Sequence, residues 1–387
     1  MKIYMFIFFL ILDCGLTRLA VMAQSIGQTS VTLNDPARGN RQVTAELYYP
    51  ATSAGQNTPI LPGVYPLLVY GHGFVMVWSA YQNVWADLVP KGYLVAFPTT
   101  EGGFSPVHAE FGADLTFLLT AIRAGGAAPS VPAANVGNTS AIMGHSMGGG
   151  SCFLGAAGAA GNSPPTAMVT FAAANTTPSS IAAAPQVGIP TLLFSGANDC
   201  VTPPSQHQDL MYDATASAYK TQISITGGGH CFFANSNLNC SFGESTCTPV
   251  PTITRAQQQS IVSVFLSNWL ARFLKNDCSK GEAFQDSLQM HPGITYRQSR
   301  SIACATGLGD DTAAGRAPLV FPNPFSHTLS VEPVDVSATY TLSDVWGRVL
   351  SSGCGLEGQN FSFLPQGCYF LRMETKSGIF TRKIVKK

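Results

Sequence analysis

A serine flanked by glycines gives the clearest chemical signal in this sequence, in the segment Gly144-His145-Ser146-Met147-Gly148. The segment follows a short apolar run at residues 140–143 and precedes a small-residue stretch at 147–160 that is typical of a helix. So sharp a turn from strand to helix needs glycines around the serine, because Cβ atoms there would clash. The turn exposes the hydroxyl above a helix N-terminus, which favours negative charge. We therefore expect Ser146 to be a catalytic nucleophile.

A serine nucleophile needs a base, because an alcohol reacts poorly near neutral pH. Proteins with this turn carry their partners in the order Ser, acid, His. Asp199 follows an apolar run at 190–194, and His230 follows another at 221–226 and three glycines. The other histidines, His207 among them, fall on predicted helices, on loops or inside the turn. We expect His230 to be the general base and then acid, and Asp199 to orient it.

Negative charge on the reacting carbonyl oxygen requires two backbone N–H donors. Met147, the residue after the nucleophile, is expected to supply one. The second is expected from Phe74, in the loop Gly71-His72-Gly73-Phe74 after the apolar run at 66–70. We also expect Phe74 and Met147 to contact substrate, and His72 to stabilise the turn rather than to catalyse.

The elements that must position these residues alternate between strand and helix. The predicted strands are 43–49, 66–70, 93–97, 140–143, 167–172, 190–194 and 221–226, and the predicted helices are 81–91, 109–123, 147–160, 205–216 and 254–273. Several strands are continuous apolar runs, as in strands buried on both faces. The alternation predicts an α/β fold with a doubly wound, mainly parallel sheet.

Composition excludes some functions. Charged residues are 11% of the 387, with Lys+Arg and Asp+Glu at 21 each, so no basic field exists to bind nucleic acid. The seven histidines are scattered and no Cys-x-x-Cys pair occurs, so we expect neither a metal nor a cofactor.

The N-terminus has the pattern of a secretory signal. Met1-Lys2 is cationic, residues 3–12 are apolar, and Val21-Met22-Ala23 has small residues at the positions that a signal peptidase reads. Residues 1–23 are therefore expected to be a signal peptide; the alternative, a transmembrane anchor, needs a longer apolar run. We expect a protein outside the cytoplasm, without stable membrane insertion and monomeric, whose cysteines mostly pair.

The pattern changes after Cys304. Residues 305–317 are small and polar, as in a linker. Short predicted strands follow at 329–332, 339–342, 349–351, 361–363, 368–373 and 380–385. We expect a catalytic domain at 24–304 and a small all-β, sandwich-like domain at 318–387.

Residues 65–277 resemble the α/β-hydrolase fold, and within it bacterial polyester hydrolases and cutinase-type esterases, with chlorophyllase-like and dienelactone-hydrolase-like relatives close by. The motifs that carry this resemblance are residues 144–150 (GHSMGGG), 190–199 (PTLLFSGAND) and 227–230 (GGGH). The resemblance implies a serine carboxylic ester hydrolase in which Phe74, often Tyr in the family, closes the oxyanion hole and stacks on the acyl group. Members that hydrolyse aromatic polyesters often carry Trp after the strand matching 167–172. Here Ala173-Ala174-Asn175 follows, and Asn175 is taken as a substrate contact.

The C-terminal domain resembles the type A C-terminal sorting domain of the type IX secretion system of Bacteroidota. The matching blocks are residues 321–325 (FPNPF), 342–348 (LSDVWGR), 364–371 (LPQGCYFL) and 383–387 (KIVKK). The resemblance implies the type IX machinery as a partner and a secreted or cell-surface location. The alternative, a carbohydrate-binding module, needs more aromatic residues than this domain has. In it Cys368 stands where Val is usual, and we expect it to pair with Cys354.

Nine cysteines remain after the signal, so one must stay unpaired, and we expect this to be Cys152 in its apolar helix. Cys200 follows Asp199 and Cys231 follows His230, so a hydrogen bond between acid and base would bring these cysteines close. Six cysteines allow fifteen pairings. We expect Cys200–Cys231, Cys240–Cys247 and Cys278–Cys304.

The sequence thus favours a secreted serine esterase that acts on hydrophobic esters. The substrates considered include polymeric esters that resemble poly(ethylene terephthalate). The alternative within enzymes is a lipase or a small-ester carboxylesterase; no long apolar lid separates the motifs, which favours an open cleft. A different class, an inactive surface binding module, is opposed by the complete Ser, Asp and His set.

Overall fold

A computed structural model describes residues 25–161, 163–304, 319–332, 338–375 and 378–387. The chain divides into two compact units, Met1–Ile302 and Ala303–Lys387. The expected signal peptide at 1–23 and linker at 305–317 lie outside the described residues. The domain boundaries set by these two segments therefore stay predictions.

The first unit is built on one ten-stranded sheet with helices on both faces. Its strands are β1 (Ser25–Asp35), β2 (Arg41–Ala51), β3 (Gly55–Gln56), β4 (Tyr65–Gly71), β5 (Leu94–Pro98), β6 (Val136–His145), β7 (Ala167–Phe171), β8 (Thr191–Gly196), β9 (Lys220–Ile225) and β10 (Ile294–Gln298). Its helices are α1 (Gln82–Leu88), α2 (His108–Gly125), α3 (Met147–Gly158), α4 (Ser180–Ala183), α5 (Gln208–Ala214), α6 (Leu238–Glu244), α7 (Arg255–Leu274) and α8 (Cys278–Met290).

The strand order is β10-β9-β8-β7-β6-β4-β5-β2-β1-β3. The six strands from β5 to β9 in this order are parallel, while β2 and β1 on one side and β10 on the other add antiparallel pairs. This arrangement confirms the predicted α/β fold with a mainly parallel sheet. It also brings the carboxyl ends of β4, β6, β8 and β9 to one edge, where the expected site residues follow them.

The apolar runs form strands because both faces of the sheet are covered. In β4, Leu67 and Val69 pack into one core with residues of α2 and α3. Their neighbours Leu68 and Tyr70 pack into the other core, with residues of α1, α7 and α8. Side chains alternate across a strand, so a run without polar interruption fits only a strand buried on both sides.

Helix ends follow the expected local chemistry. Thr254 caps α7, and Gln257 three residues on completes a capping box. The predicted helix at 81–91 is shorter than expected: α1 is followed by a 3₁₀ turn to Lys91, and Gly92 ends it in the left-handed region at φ 76°. The sequence analysis did not predict β1, β3, β10, α4, α6 or α8.

The second unit is all-β, as predicted. Its strands are β11 (Leu319–Phe321), β12 (Ser330–Glu332), β13 (Thr339–Asp344), β14 (Val349–Cys354), β15 (Gly367–Thr375) and β16 (Gly378–Lys386). β11 pairs with β12, and the others form the antiparallel sheet β14-β13-β15-β16 over a core that includes Leu342 and Leu371. The strand predicted at 361–363 is wrong: Phe361 lies in a turn and is buried in this core instead.

The expected Cys354–Cys368 disulfide is also wrong, since both cysteines are free. Cys354 in β14 lies opposite Thr339 at the start of β13. Tyr369, next to Cys368, lies opposite Asp344 at the other end of β13. Five residues of β13 separate the two positions along the strand, about 17 Å at 3.4 Å per residue, which is too far for a disulfide.

Candidate active site

Ser146 occupies the tight turn between β6 and α3. Its backbone lies at φ 54° and ψ −117°, a region that residues other than glycine rarely adopt. Two hydrogen bonds hold this conformation: the Ser146 N–H donates to Phe171 O (2.9 Å), and the Ala174 N–H donates to Ser146 O (2.9 Å). A Cβ on Gly148 would overlap the backbone carbonyl of Gly71, so glycine there lets α3 pass beside the end of β4. The serine is 9% exposed at the sheet edge.

Asp199 and His230 form a buried hydrogen-bonded pair. The His230 Nδ1–H donates to Asp199 Oδ2 at 2.8 Å. The other carboxylate oxygen, Oδ1, accepts the backbone N–H groups of Val201 (2.9 Å) and Thr202 (2.8 Å). With its proton on Nδ1, the imidazole keeps a lone pair on Nε2 for use as a base. No hydrogen bond of the described residues joins Ser146 Oγ to His230; such bonds often tighten only when substrate is bound.

Thr202 supports this pair and was not predicted. Its Oγ1 lies 2.9 Å from Asp199 Oδ2 and 3.1 Å from His230 Nδ1. The Gln208 side-chain amide donates to Thr202 Oγ1 (3.1 Å) and to Ala173 O (2.7 Å), which connects the acid to the loop after β7. The spacing of a threonine three residues after an aspartate, as in side-chain-capped turns, is the one signal that could have indicated it.

The two expected oxyanion donors lie on different elements. Met147 is the first residue of α3, and Phe74 lies in the loop after β4. Neither backbone N–H donates to a group in the described part of the chain. Their side chains differ: Met147 is buried, whereas Phe74 is 48% exposed and makes an edge contact with the ring of Phe104, which is 83% exposed.

Asn175 lies exposed in the loop after β7. Its Oδ1 accepts from Ser179 Oγ (2.9 Å) and from the Ile181 N–H (3.3 Å), so the side chain stabilises the start of α4. Its own N–H donates to Nδ1 of His207 (2.8 Å). Burial lowers the pKa of His207 below its ordinary value. The sequence analysis placed His207 away from the site, but this histidine orders the loop beside Ser146.

Two expected disulfide pairings next to the acid and base are wrong. Cys200 is bonded to Cys247, and Cys231 to Cys240, rather than Cys200 to Cys231 and Cys240 to Cys247. A hydrogen bond between the side chains of Asp199 and His230 says nothing about the next residues along each chain, whose Cβ atoms point elsewhere; Cys200 is exposed and Cys231 is buried. Both bonds tie α6 and the turn after it to the site.

The predictions for three further cysteines agree with the structure as far as it describes them. Cys278 and Cys304 are both disulfide-bonded. Cys152 is free and buried, as predicted, and burial raises the pKa of its thiol.

The described residues include no helix long and apolar enough to cross a bilayer. Nor do three or more His, Cys, Asp or Glu side chains meet as metal ligands within those ranges.

Two protein families match this chain. The one described as PET hydrolase-like matches residues 17–287. The one described as a secretion system C-terminal sorting domain matches residues 319–387. No curated protein matches the chain.

Proposed function

Since this chain belongs to the PET hydrolase-like family, we propose that it hydrolyses apolar carboxylic esters through Ser146, His230 and Asp199. Membership makes the chain a serine carboxylic ester hydrolase, and its sorting domain indicates secretion through the type IX system to the cell surface or beyond. One observation carries the assignment of residues. Ser146 and the hydrogen-bonded His230–Asp199 pair follow β6, β9 and β8, whose carboxyl ends lie at one edge of the sheet.

In this proposal His230 Nε2 takes the proton of Ser146 as Oγ attacks the ester carbonyl carbon. The imidazolium that forms is stabilised by Asp199, whose charge is held by two backbone N–H groups. The tetrahedral intermediate collapses when His230 gives the proton to the leaving alcohol, and an acyl-serine remains. Water activated by the same histidine then releases the acid.

The developing oxyanion is assigned to the backbone N–H groups of Met147 and Phe74. Met147 begins α3, so its N–H is one of the unpaired donors of a helix N-terminus and the helix dipole adds to it. Removal of one such donor in other serine hydrolases costs about 10²–10³ in kcat.

Apolar side chains around the site support a hydrophobic substrate. Phe74, in the loop after β4, contacts the ring of Phe104. The Asn239 side chain donates to Val75 O (2.8 Å), which places α6 beside that loop. The exposed residues of α6 include Leu238 and Phe242, at 85% and 81% exposure. We call Phe74, Phe104, Leu238 and Phe242 the apolar rim.

The disulfides favour an esterase with a fixed rim over a lipase with a mobile lid. Cys240 lies inside α6 and is bonded to Cys231, next to the base. Cys247, just after α6, is bonded to Cys200, next to the acid. A segment tied at both points to the residues beside the triad cannot swing away as a lid does.

The nucleophile is tested by Ser146→Ala, which removes one hydroxyl and should lower kcat by on the order of 10⁴. A fluorophosphonate should label the wild type and not the variant. Retention of a tenth of the activity in a pure preparation would refute the assignment.

The substrate class is tested with a series of p-nitrophenyl esters and an aromatic polyester film. Leu238→Ser with Phe242→Ser should lower the rate on long-chain esters and film by up to about thirtyfold, since each lost apolar contact contributes about 1 kcal/mol, and leave the acetate unchanged. Val64→Ser is the control, because Val64 is 67% exposed and precedes β4 at the opposite sheet edge. An equal loss on acetate would contradict the proposed role of the rim.

A further inference from the structure

Two buried side chains, Tyr81 and His145, connect three segments of the site that lie far apart in the sequence. The Gly73 N–H donates to Tyr81 Oη (2.8 Å). Tyr81 Oη lies 3.0 Å from His145 Nδ1, and His145 Nε2 lies 3.0 Å from the backbone oxygen of His230. Both side chains are fully buried. Gly73 precedes Phe74, and His145 precedes Ser146.

The donor in each of these bonds follows from the chemistry of the groups. The backbone oxygen of His230 only accepts, so His145 carries its proton on Nε2. Burial holds the pKa of His145 well below its ordinary value, so the ring is neutral and Nδ1 accepts. Tyr81 therefore donates to Nδ1 while accepting from the Gly73 N–H. The nearby Met76 Sδ, 3.3 Å from Tyr81 Oη, is a weaker acceptor.

The close approach of these atoms requires glycine at position 73. A Cβ there would lie 2.8 Å from Met76 Sδ and 3.2 Å from both Tyr81 Oη and His145 Nδ1. The loop that carries the proposed oxyanion donor is therefore packed directly against both side chains.

Further bonds join the segment around Tyr81 to the residues after the base. The Asn235 N–H donates to Ala80 O (2.7 Å), and the Asn83 side-chain amide donates to Phe233 O (3.0 Å). The Tyr81 ring packs against the rings of Tyr70 and Phe97 in the core. The hydroxyl thus has a fixed position relative to the sheet.

We propose that Tyr81 and His145 are positioning residues. They fix the relative positions of three segments: the loop with Phe74, the turn with Ser146 and the loop with His230. The inference rests on the proposed triad. Neither side chain is exposed to solvent. Each acts through the backbone: Tyr81 fixes the N–H of the His72-Gly73 peptide, directly before the peptide that carries the Phe74 N–H, and His145 fixes the carbonyl of His230.

Tyr81→Phe tests the proposal, because it removes the hydroxyl and keeps the ring. We expect kcat to fall at least tenfold with KM changed less than twofold, since a displaced oxyanion donor weakens transition-state binding alone. Tyr70→Phe is the matched control: Tyr70 is equally buried in the same core, and its hydroxyl has no partner among the described residues. Its kcat should stay within twofold of wild type.

His145→Gln provides a second, independent variant. The amide Nε2–H of glutamine can still donate to the His230 oxygen, but glutamine has no acceptor bonded to Cγ, where Nδ1 of the imidazole faces Tyr81. It should lower kcat about as much as Tyr81→Phe, and the double variant should lose little more, because both remove the same connection. Affinity for an alkyl boronic acid, which forms a tetrahedral adduct on the nucleophile, should fall in parallel with kcat.

The proposal is overturned if Tyr81→Phe and Tyr70→Phe have equal kcat, or if the losses of Tyr81→Phe and His145→Gln multiply in the double variant. A rise in KM alone would also overturn it. Failure of the triad assignment is distinguished by Ser146→Ala, which would then remain active and react with fluorophosphonate whatever the tyrosine variants do.

Discussion

Removal of the Cys200–Cys247 disulfide should destabilise the first unit more than removal of Cys231–Cys240. The first bond joins residues 47 apart and the second joins residues 9 apart. A cross-link stabilises a protein mainly by restricting the unfolded chain, and the restriction grows with the length of the closed loop. The perturbation is a pair of double variants, each with both cysteines of one bond replaced by alanine, so that no unpaired thiol remains.

The loop lengths set the size of the effect. For a loop of 47 residues the chain-entropy relation gives about 4 kcal/mol, and for a loop of 9 residues about 2.6 kcal/mol. The short loop lies within the long one, so while Cys231–Cys240 stays bonded the outer loop is shortened to about 38 residues, which lowers its value only to about 3.9 kcal/mol. The expected difference between the variants is therefore about 1.4 kcal/mol in the free energy of unfolding.

The assay is urea unfolding of the full chain, followed by tryptophan fluorescence, with the free energy extrapolated to water for each variant. Peptide mapping of the unreduced wild type supplies the control, because it identifies the bonded pairs directly. Equal destabilisation, or a greater loss from the short loop, would refute the argument from loop length. A peptide joining Cys200 to Cys231 would refute the pairing itself.

Two further predictions concern acid stability and the second unit. The free energy of unfolding should fall as pH drops below about 6.5, because burial holds the pKa of His72 and His145 below the ordinary value and only the unfolded chain then takes up their protons. The free energy of unfolding should change by up to about 1.4 kcal/mol per pH unit for each histidine. Urea unfolding at pH 7, 6 and 5 measures this slope, and a free energy that does not change with pH would contradict the prediction. Truncation after Arg316 should leave kcat unchanged and abolish export in a host with type IX secretion, because each unit has its own core. An inactive or insoluble truncated protein would show that the units depend on each other.

Much of the fold could be predicted from the sequence because its signals are local. Apolar runs such as 66–70 and 190–194 match strands buried on both faces, and the alternation with helices leaves few possible topologies. The Ser146 turn is also local, since the glycines and the serine lie within five residues. Asp199 and His230, the proposed acid and base, were predicted from chain order; their hydrogen bond fits this proposal, because the carboxyl ends of parallel strands meet at one edge.

The sequence could not predict contacts between side chains that belong to no clear local motif. Thr202 reaches Asp199, and Gln208 reaches Thr202, because of where β8 ends and α5 begins; the one local signal is the spacing of Thr202 three residues after Asp199. Elements without a strong periodic pattern, such as the short helix α6, were missed for the same reason.

The cysteines and His145 show most clearly which features could be predicted from the sequence and which depend on the tertiary structure. The sequence by itself predicted that most cysteines of a secreted chain pair and that Cys152 in its apolar helix does not, and both hold, although Cys354 and Cys368 are free as well. It could not determine that Cys231 pairs with Cys240, since a disulfide requires Cβ atoms about 3.5–4.5 Å apart and so depends on side-chain direction in the folded chain. Likewise, His145 was visible as a residue inside the serine turn. Only the packing of α1 against the sheet brings Tyr81 to one of its ring nitrogens and the carbonyl of His230 to the other.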